Sequence, residues 1–476
     1  MKIKFCGAAE GVTGSCHLIT AGTEDAPLRI LLDCGELQGG RSIEEQNSEP
    51  FPFDPTEVDC AILSHAHIDH CGRLPLLVKR GYGGKIFCTE ATADLLGIML
   101  RDGAHIHEKE AEWKTRKALR AGRDPVEPLY TMQDAEEVLK HVIPVRYDET
   151  VTPADGFRFA LRDAGHIIGS AIVELWLADG TGSGAGEKKI VFSGDLGQSD
   201  RPMLNDPTFI KEADCVIMES TYGNRIHEHR EDSDKLLADV FIETTERGGT
   251  VVIPSFAVGR AQDLIYEFND FYENNAYYAR KLKDVKMYID SPMAIAATEV
   301  FKRNAKVFDE EYKEKVREGD DPLDFINLQF TKTAEESKRL NESDEPKVII
   351  SASGMCEAGR IRHHLKHHLW RGKDAVVFVG YQAVGTLGRD IVDGAKSVKL
   401  FGDEVRVNAH IYNLEGFSAH ADHDGLMAWV KGFEEKPERF FLVHGELQSK
   451  KDLARDIERE TGIAPTVVEH ISEFEV

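Results

Sequence analysis

The sequence contains no run of about eighteen apolar residues, so no segment reads as a membrane span. Its first residues, MKIKFCGAAEGVTGSCHLI, carry two lysines with no continuous apolar stretch behind them, unlike a secretory signal. The eight cysteines (Cys6, Cys16, Cys34, Cys60, Cys71, Cys88, Cys215 and Cys356) form no Cys-x-x-Cys pair and no dense framework. They read as free thiols in a reducing compartment, so a cytoplasmic location is expected. Positive charge is also short: 58 Lys and Arg face 83 Asp and Glu, a net charge of −25. That balance argues against a general nucleic-acid binder and leaves room only for a local basic groove. Internal repeats and low-complexity linkers are absent. With 41% hydrophobic and 30% charged residues the composition is that of a globular enzyme. The 476 residues suggest two to four domains.

What is present is a series of apolar strands that run into chemically loaded turns. LRILLDCG is a buried strand ending in Asp33, and DCAILSHAHIDH is an apolar strand running into His65, His67, Asp69 and His70. Residues 92–121 read as a helix that ends in the basic run KTRKALRAGR. ALRDAGHIIGSAIVELWLADGTGSGAGEKKIVFSGDLG reads as strand, His166 loop, strand, Gly/Ser hairpin loop, strand and Asp195 loop. DCVIMESTYG is a further strand ending in Glu219. Beyond about residue 225, apolar strands alternate with helices, the pattern of a parallel α/β unit. From about residue 404 the earlier style returns, and FSAHADH and FFLVHGE put His420 and His444 just past apolar stretches.

Imidazole and carboxylate are the ordinary ligands of zinc. A single histidine after a strand is most often structural. Three histidines and an aspartate within six positions are not ordinary surface decoration, and they make the other strand-end groups candidate ligands too. Seven such groups suffice for two ions sharing a bridging carboxylate, a centre able to hold a hydroxide and clamp an in-line displacement at phosphorus.

SHAHIDH resembles the H-x-H-x-D-H signature of the metallo-β-lactamase fold, and DCGE, AGHIIGS and SGDLG match that family's other motifs in order. ESTYG, GFSAHAD and LVHGE resemble the three further motifs of the β-CASP nucleases. The resemblance implies an α/β fold: a metallo-β-lactamase αββα sandwich (residues 1–224 and 416–476) with an inserted β-CASP α/β domain (residues 225–415). It also implies two Zn2+ ions per chain. One would be held by His65, His67 and His166, the other by Asp69, His70 and His444, with Asp195 bridging. Asp33 would orient a ligand histidine from behind. His420, paired with Glu219, would act as a general acid, so that Asp69, Asp195, Glu219 and His420 form the catalytic set. The implied partner is single-stranded RNA, with no membrane association, and the chain looks most like a compact bacterial-type member. Endo- or exonuclease mode, and whether the chain is a homodimer, stay open.

Substrate phosphate has two candidate sites. Ser351, Ser353 and Gly354 precede a helix, a setting suited to phosphate. Ser255 and Arg260 lie in a similar turn. The run RIRHHLKHHLWRGK has His363/His367 and His364/His368 four apart, a spacing that could bind metal on a helix face, but no carboxylate or cysteine accompanies it and it reads as a solvated basic face near RNA; RKALRAGR reads first as a helix surface and second as an RNA contact. The metal cluster alone would equally serve a small-molecule hydrolase such as a thioesterase or lactonase. The long insertion together with Glu219 and His420 favours the nuclease. A non-catalytic binding subunit would be expected to have lost ligands, and this chain keeps them all.

Overall fold

A computed structural model of the chain describes residues 1–476 apart from Glu24, Gly40, residues 179–185 and Val384. The Gly/Ser loop expected between two strands falls on 179–185, outside the described residues. The chain divides into two compact units. The first comprises Met1–Asp200, Asn205–Ile226 and His420–Val476; the second comprises Arg201–Leu204 and His227–Ala419.

The first unit is built on two sheets. One has the spatial order Ser472–Glu475, Lys2–Phe5, His17–Thr23, Ala26–Leu32, Cys60–Ile62, Lys85–Thr89, Val142–Val145. The other has the order Thr466–Val467, Arg439–Leu442, Cys215–Met218, Glu187–Phe192, Ala171–Ala178, Phe157–Asp163, Thr150–Ala154. Successive strand residues point to opposite faces, and central strands such as Cys60–Ile62 and Cys215–Met218 are buried on both, which is why they are continuous apolar runs. Ile30 and Leu32 enter the core between the sheets, whereas Leu31 enters a second core against the helices outside. Likewise Ile190 and Phe192 face inward, and Val191 faces the outer core with Leu426, Trp429 and Leu453. The layers therefore run helix, sheet, sheet, helix.

The helix Glu90–Arg120 belongs to the outer layer of the first sheet, where Leu96, Leu100 and Ala104 are buried. Thr89 caps it by accepting from the Thr92 N–H. It covers all but the last residue of the 92–121 span expected to be helical, Ala121 standing in the turn that ends it.

The second unit carries a six-stranded sheet in the order Leu328–Phe330, Lys286–Ile289, Lys347–Ser351, Thr250–Pro254, Ala375–Phe378, His410–Asn413. Every pairing in it is parallel, as alternating strands and helices require. A hairpin, Ser397–Leu400 with Asp403–Arg406, completes the unit.

Phe441 shows how the sandwich is held. It is fully buried, and its ring lies 5.0 Å from that of Phe5 and 5.1 Å from that of Phe474, both on the opposite sheet. Phe441→Ala should cost ~3–5 kcal/mol of stability. The check is the urea midpoint of the purified chain, and an unchanged midpoint would remove this contact as a main tie between the sheets.

Candidate metal centre

Most of the singled-out residues lie where strands end. Asp33 follows Ala26–Leu32, His65 follows Cys60–Ile62, and His166 follows Phe157–Asp163. Asp195 follows Glu187–Phe192, Glu219 follows Cys215–Met218, and His444 follows Arg439–Leu442. His420 departs from expectation. It follows the short 3-10 turn Glu415–Phe417 and pairs as an isolated bridge with Gly197 instead of closing a strand.

The turns interlock through backbone hydrogen bonds. The Cys34 N–H donates to the His70 carbonyl (2.8 Å), Glu36 to Ile68 (2.9 Å), and Ser15 to Asp69 (2.8 Å). This approach needs Gly35, where a Cβ would sit 1.7 Å from the Asp69 carbonyl oxygen. Gly197 plays the same part on the other sheet, where a Cβ would lie 1.8 Å from the Gly165 carbonyl oxygen.

Two donor groups result. His65, His67, His166 and Asp195 form one, and Asp69, His70 and His444 form the other. In the first, His65 Nε2 is 3.1 Å from His67 Nδ1, and His166 Nε2 is 3.2 Å from the same atom. Asp195 Oδ2 lies 3.5 Å from His65 Nε2 and 3.6 Å from His166 Nε2. In the second, His70 Nε2 is 3.2 Å from His444 Nε2, and His444 Nε2 is 3.5 Å from Asp69 Oδ2. Asp195 reaches this group as well, with Oδ2 3.3 Å from His70 Nε2 and Oδ1 3.6 Å from His444 Nδ1. Asp195 is thus the carboxylate common to both. Glu219 also falls within ligand distance, grouped with Asp195 and His444.

These residues fit metal ions. For bonds of ~2.0–2.1 Å, neighbouring ligand atoms of a tetrahedral ion lie roughly 3.3–3.4 Å apart, which is the spacing found here. Hydrogen bonding alone accounts for the cluster poorly, since Asp195 Oδ1 is buried with no hydrogen-bond partner among the described residues. Charge agrees. Burial holds His65 well below the ordinary histidine range and His67 down to about 4, so both offer lone pairs at neutral pH. Burial also disfavours charge on His70, but Asp195, Asp33 and Asp69 outweigh it and push His70 well up, marking a point that favours positive charge. Burial opposes ionisation of Asp195 too, yet His444, His70 and His420 hold its carboxyl well below the usual range.

Asp33 lies behind the cluster. Its Oδ2 is 2.7 Å from His70 Nδ1, which turns Nε2 toward the centre. It is fixed in turn by the Ser64 N–H (2.8 Å), the Ser64 hydroxyl (2.9 Å) and the Ser15 hydroxyl (3.0 Å). Thr221 Oγ1 lies 3.2 Å from His444 Nδ1. Sequence reasoning missed Ser15, Ser64 and Thr221. Only Ser64 had a signal, its place directly before the histidine cluster.

His420 Nδ1 lies 3.3 Å from Glu219 Oε1. Glu219 is itself oriented by the Leu196 N–H (2.6 Å) and the Thr221 N–H (3.3 Å). Burial works against a charged His420, but Glu219 and Asp195 prevail and lift it to about 9.

The phosphate candidates fare differently. The two turns do meet in the second unit, where the Ser255 N–H donates to the Ser351 carbonyl (3.0 Å) and Gly354 packs against Phe256. Their polar groups are engaged inside that unit. The Ser255 hydroxyl donates to the Phe256 carbonyl, Ser351 to the Asp290 carbonyl, Ser353 to the Ala358 carbonyl, and Arg260 pairs with Asp263.

The expectation of a solvated basic face on RIRHHLKHH is half corrected. His363 and His367 are exposed, but His364 and His368 are fully buried. His364 lies between Asp290 Oδ2 (2.6 Å) and Asn341 Oδ1 (2.8 Å), and His368 Nδ1 meets Asp374 Oδ2 (2.6 Å). The i,i+4 pairs occupy different helix faces; the carboxylate that satisfies His364 comes from the end of the distant strand Lys286–Ile289, and the one at His368 stands six residues on, just before Ala375–Phe378.

Asp33→Asn should lower metal affinity 10–100-fold, because the amide no longer offers a carboxylate to the His70 ring. Competition with a chromogenic chelator measures this, and unchanged affinity would show that Asp33 does not tune the ligand.

Comparison with known proteins follows the same layout. A metallo-beta-lactamase superfamily domain model matches residues 23–217, a Beta-Casp domain model residues 261–391, and a Zn-dependent metallo-hydrolase RNA specificity domain model residues 404–468. Ribonuclease TTHA0252 of Thermus thermophilus is 38% identical over 446 residues, covering 94% of this chain and 93% of that protein. Transcription termination factor FttA of Methanocaldococcus jannaschii is 32% identical over 471 residues, covering 96% of this chain and 69% of that protein. An RNase J-like protein of the same organism is 32% identical over 458 residues, covering 96% and 95%. With the domain models in this order and relatives of this coverage, the chain belongs to the β-CASP family of metallo-β-lactamase-fold ribonucleases and is a metal-dependent hydrolase.

Proposed function

We propose that this chain is a zinc-dependent ribonuclease that hydrolyses phosphodiester bonds of single-stranded RNA in RNA processing or decay. The observation that carries this reading is the Glu219–His420 pair set beside two donor groups that share Asp195. Nitrogen and oxygen donors at tetrahedral spacing suit zinc, and two groups suit two ions. His65, His67 and His166 would hold one ion, Asp69, His70 and His444 the other, with Asp195 between them. When bound, the ions supply Lewis acidity toward the scissile phosphate and lower the pKa of a water.

The chain's own residues do the rest. Asp33 fixes the tautomer of His70 by taking its Nδ1 proton in a hydrogen bond. Glu219 holds His420 through Nδ1, so the other ring nitrogen can hand its proton to the leaving 3′ oxygen. That transfer leaves a 3′ hydroxyl on one fragment and a 5′ phosphate on the other. The RNA-specificity model matched over residues 404–468, and relatives named as a ribonuclease and a transcription termination factor, support RNA as the substrate. A cytoplasmic setting is part of the reading, supported by eight cysteines that are all free and buried.

The test is incubation of the zinc-loaded chain with end-labelled single-stranded RNA and single-stranded DNA. RNA cleavage that a chelator abolishes and zinc restores is expected; intact RNA beside hydrolysis of a small ester would overturn the reading. His420→Ala should keep its metal content by elemental analysis while turnover falls roughly 10²–10⁴-fold. Loss of metal from that variant would make His420 a ligand and not an acid.

A further inference from the structure

The helix Glu90–Arg120 does two things with its 31 residues. Its first part braces the metal-centre loops. The Thr89 and Thr92 hydroxyls donate to the Gly169 carbonyl in the His166 loop (2.7 and 2.8 Å). One side of His107 meets Glu36 (3.0 Å), and Glu36 also accepts from Tyr130 (3.0 Å) while its backbone is tied to Ile68. A Cβ at Gly103 would lie 3.7 Å from Ile68, the residue before Asp69.

The second part has no such inward duty. Trp113 is 53% exposed, with Lys117 Nζ over its ring at 4.3 Å. Arg116, Lys117 and Arg120 stand three, four and seven residues on from it, hence on the same face. Gly122, at φ 66°, ends the helix, and the Arg123 N–H turns back to the Ala118 carbonyl (2.9 Å). From Trp113 to Arg123 there are five cations and no acid. Lys114 pairs with Glu110, whereas Arg116, Lys117, Arg120 and Arg123 make no ion pair among the described residues. The acids that precede Trp113 are engaged: Glu112 with Lys109, Glu110 with Lys114, and Glu108 with the Met132 N–H. Cations in a last turn also complement the helix dipole, which accounts for Lys117 and Arg120. It accounts neither for an exposed tryptophan among them nor for this concentration of unpaired positive charge in a chain of net charge −25.

We propose that the Trp113–Arg123 end of this helix is a binding site for single-stranded RNA outside the metal centre: Trp113 stacks a base, and Arg116, Lys117 and Arg120 hold flanking phosphates. This rests on the ribonuclease reading above. Stacking on an aromatic ring beside cations is how unstructured strands are held without regard to sequence. At 1.5 Å per residue, Trp113 lies ~15 Å and Arg120 ~25 Å along the helix from Gly103, which packs beside the metal-centre turn. That reach corresponds to roughly four to seven nucleotides at a stacked spacing of ~3.4 Å. The site would therefore engage long strands and be out of reach of a trinucleotide.

The experiment compares the full, zinc-loaded chain with Trp113→Ala, Trp113→Phe and the triple variant R116Q/K117Q/R120Q. The readouts are KM and kcat on a 20-nucleotide single-stranded RNA and on a trinucleotide, across a salt series. For Trp113→Ala and the triple variant, KM on the long strand should rise roughly tenfold with kcat within about twofold, and Trp113→Phe should restore most of the loss. For the triple variant, the slope of log KM against log salt should fall by about 2, three phosphates at ~0.7 each. Kinetics on the trinucleotide should match the parent. If the parent cleaves the long strand and the variants match it in KM and salt slope, this site is overturned and the face is left to an acidic protein partner. If the parent neither binds nor cleaves RNA, the ribonuclease reading falls first and takes the site with it.

Discussion

Everything in the first unit answers to the burial of one carboxylate among histidines. Asp195 is almost wholly inaccessible, with His65, His70 and His166 around one oxygen and His444 near the other. Left as bare side chains, such a group would be a poor use of the interior, since buried polar atoms without partners are costly. It becomes favourable when the converging lone pairs share a cation. The surrounding structure holds the donors in place for that purpose. Asp33, Ser15 and Ser64 hold one histidine ring from behind, Thr221 meets another, and the backbone bonds at Cys34, Glu36 and Ser15 keep the two ligand-bearing turns in register.

The sandwich makes this convergence affordable in conformational terms. Donor groups separated by up to 379 positions, from His65 to His444, are delivered by strand ends of two sheets packed face to face. Rigid strands fix where each side chain starts, so little entropy is lost in bringing the donors together once the core has formed. The apolar alternation that builds the two outer cores and the inner one is thus also what aims the site. His420 is the exception, set by a loop and a single bridge to Gly197. Its side chain keeps partial exposure, whereas His65, His70 and His166 are almost wholly buried.

Much of the site could be read directly from the residues. The spacing of His65, His67, Asp69 and His70 is local chemistry, and the strand-end positions of Asp33, His166, Asp195, Glu219 and His444 follow from apolar runs that stop at polar turns. The fold class was legible for the same reason, since apolar strands that stop at polar turns, followed by strand–helix alternation, are local patterns. The phosphate candidates read less well. Ser255 and Ser351 sit in turns of the expected kind, but their hydroxyls are spent on carbonyls of the same unit, which no local pattern reveals. The four-histidine helix also divided in a way spacing could not foresee, because the Asp290 carboxylate that meets buried His364 comes from 74 positions away, while Asp374, beside His368, stands just past the run.

The sequence by itself determined the donor types, their local spacing, the strand ends on which most of them stand, and the shortage of positive charge. Those are properties of single segments, and a segment's chemistry and periodicity are written in its own residues. Only the tertiary structure decided that Ser15, Ser64 and Thr221 stand behind the clustered donors. It alone decided that four cations beside Trp113 make no ion pair among the described residues. These depend on which side chains from distant segments come within about 4 Å of one another, and such meetings are set by how the layers pack, not by the order of residues along any one of them.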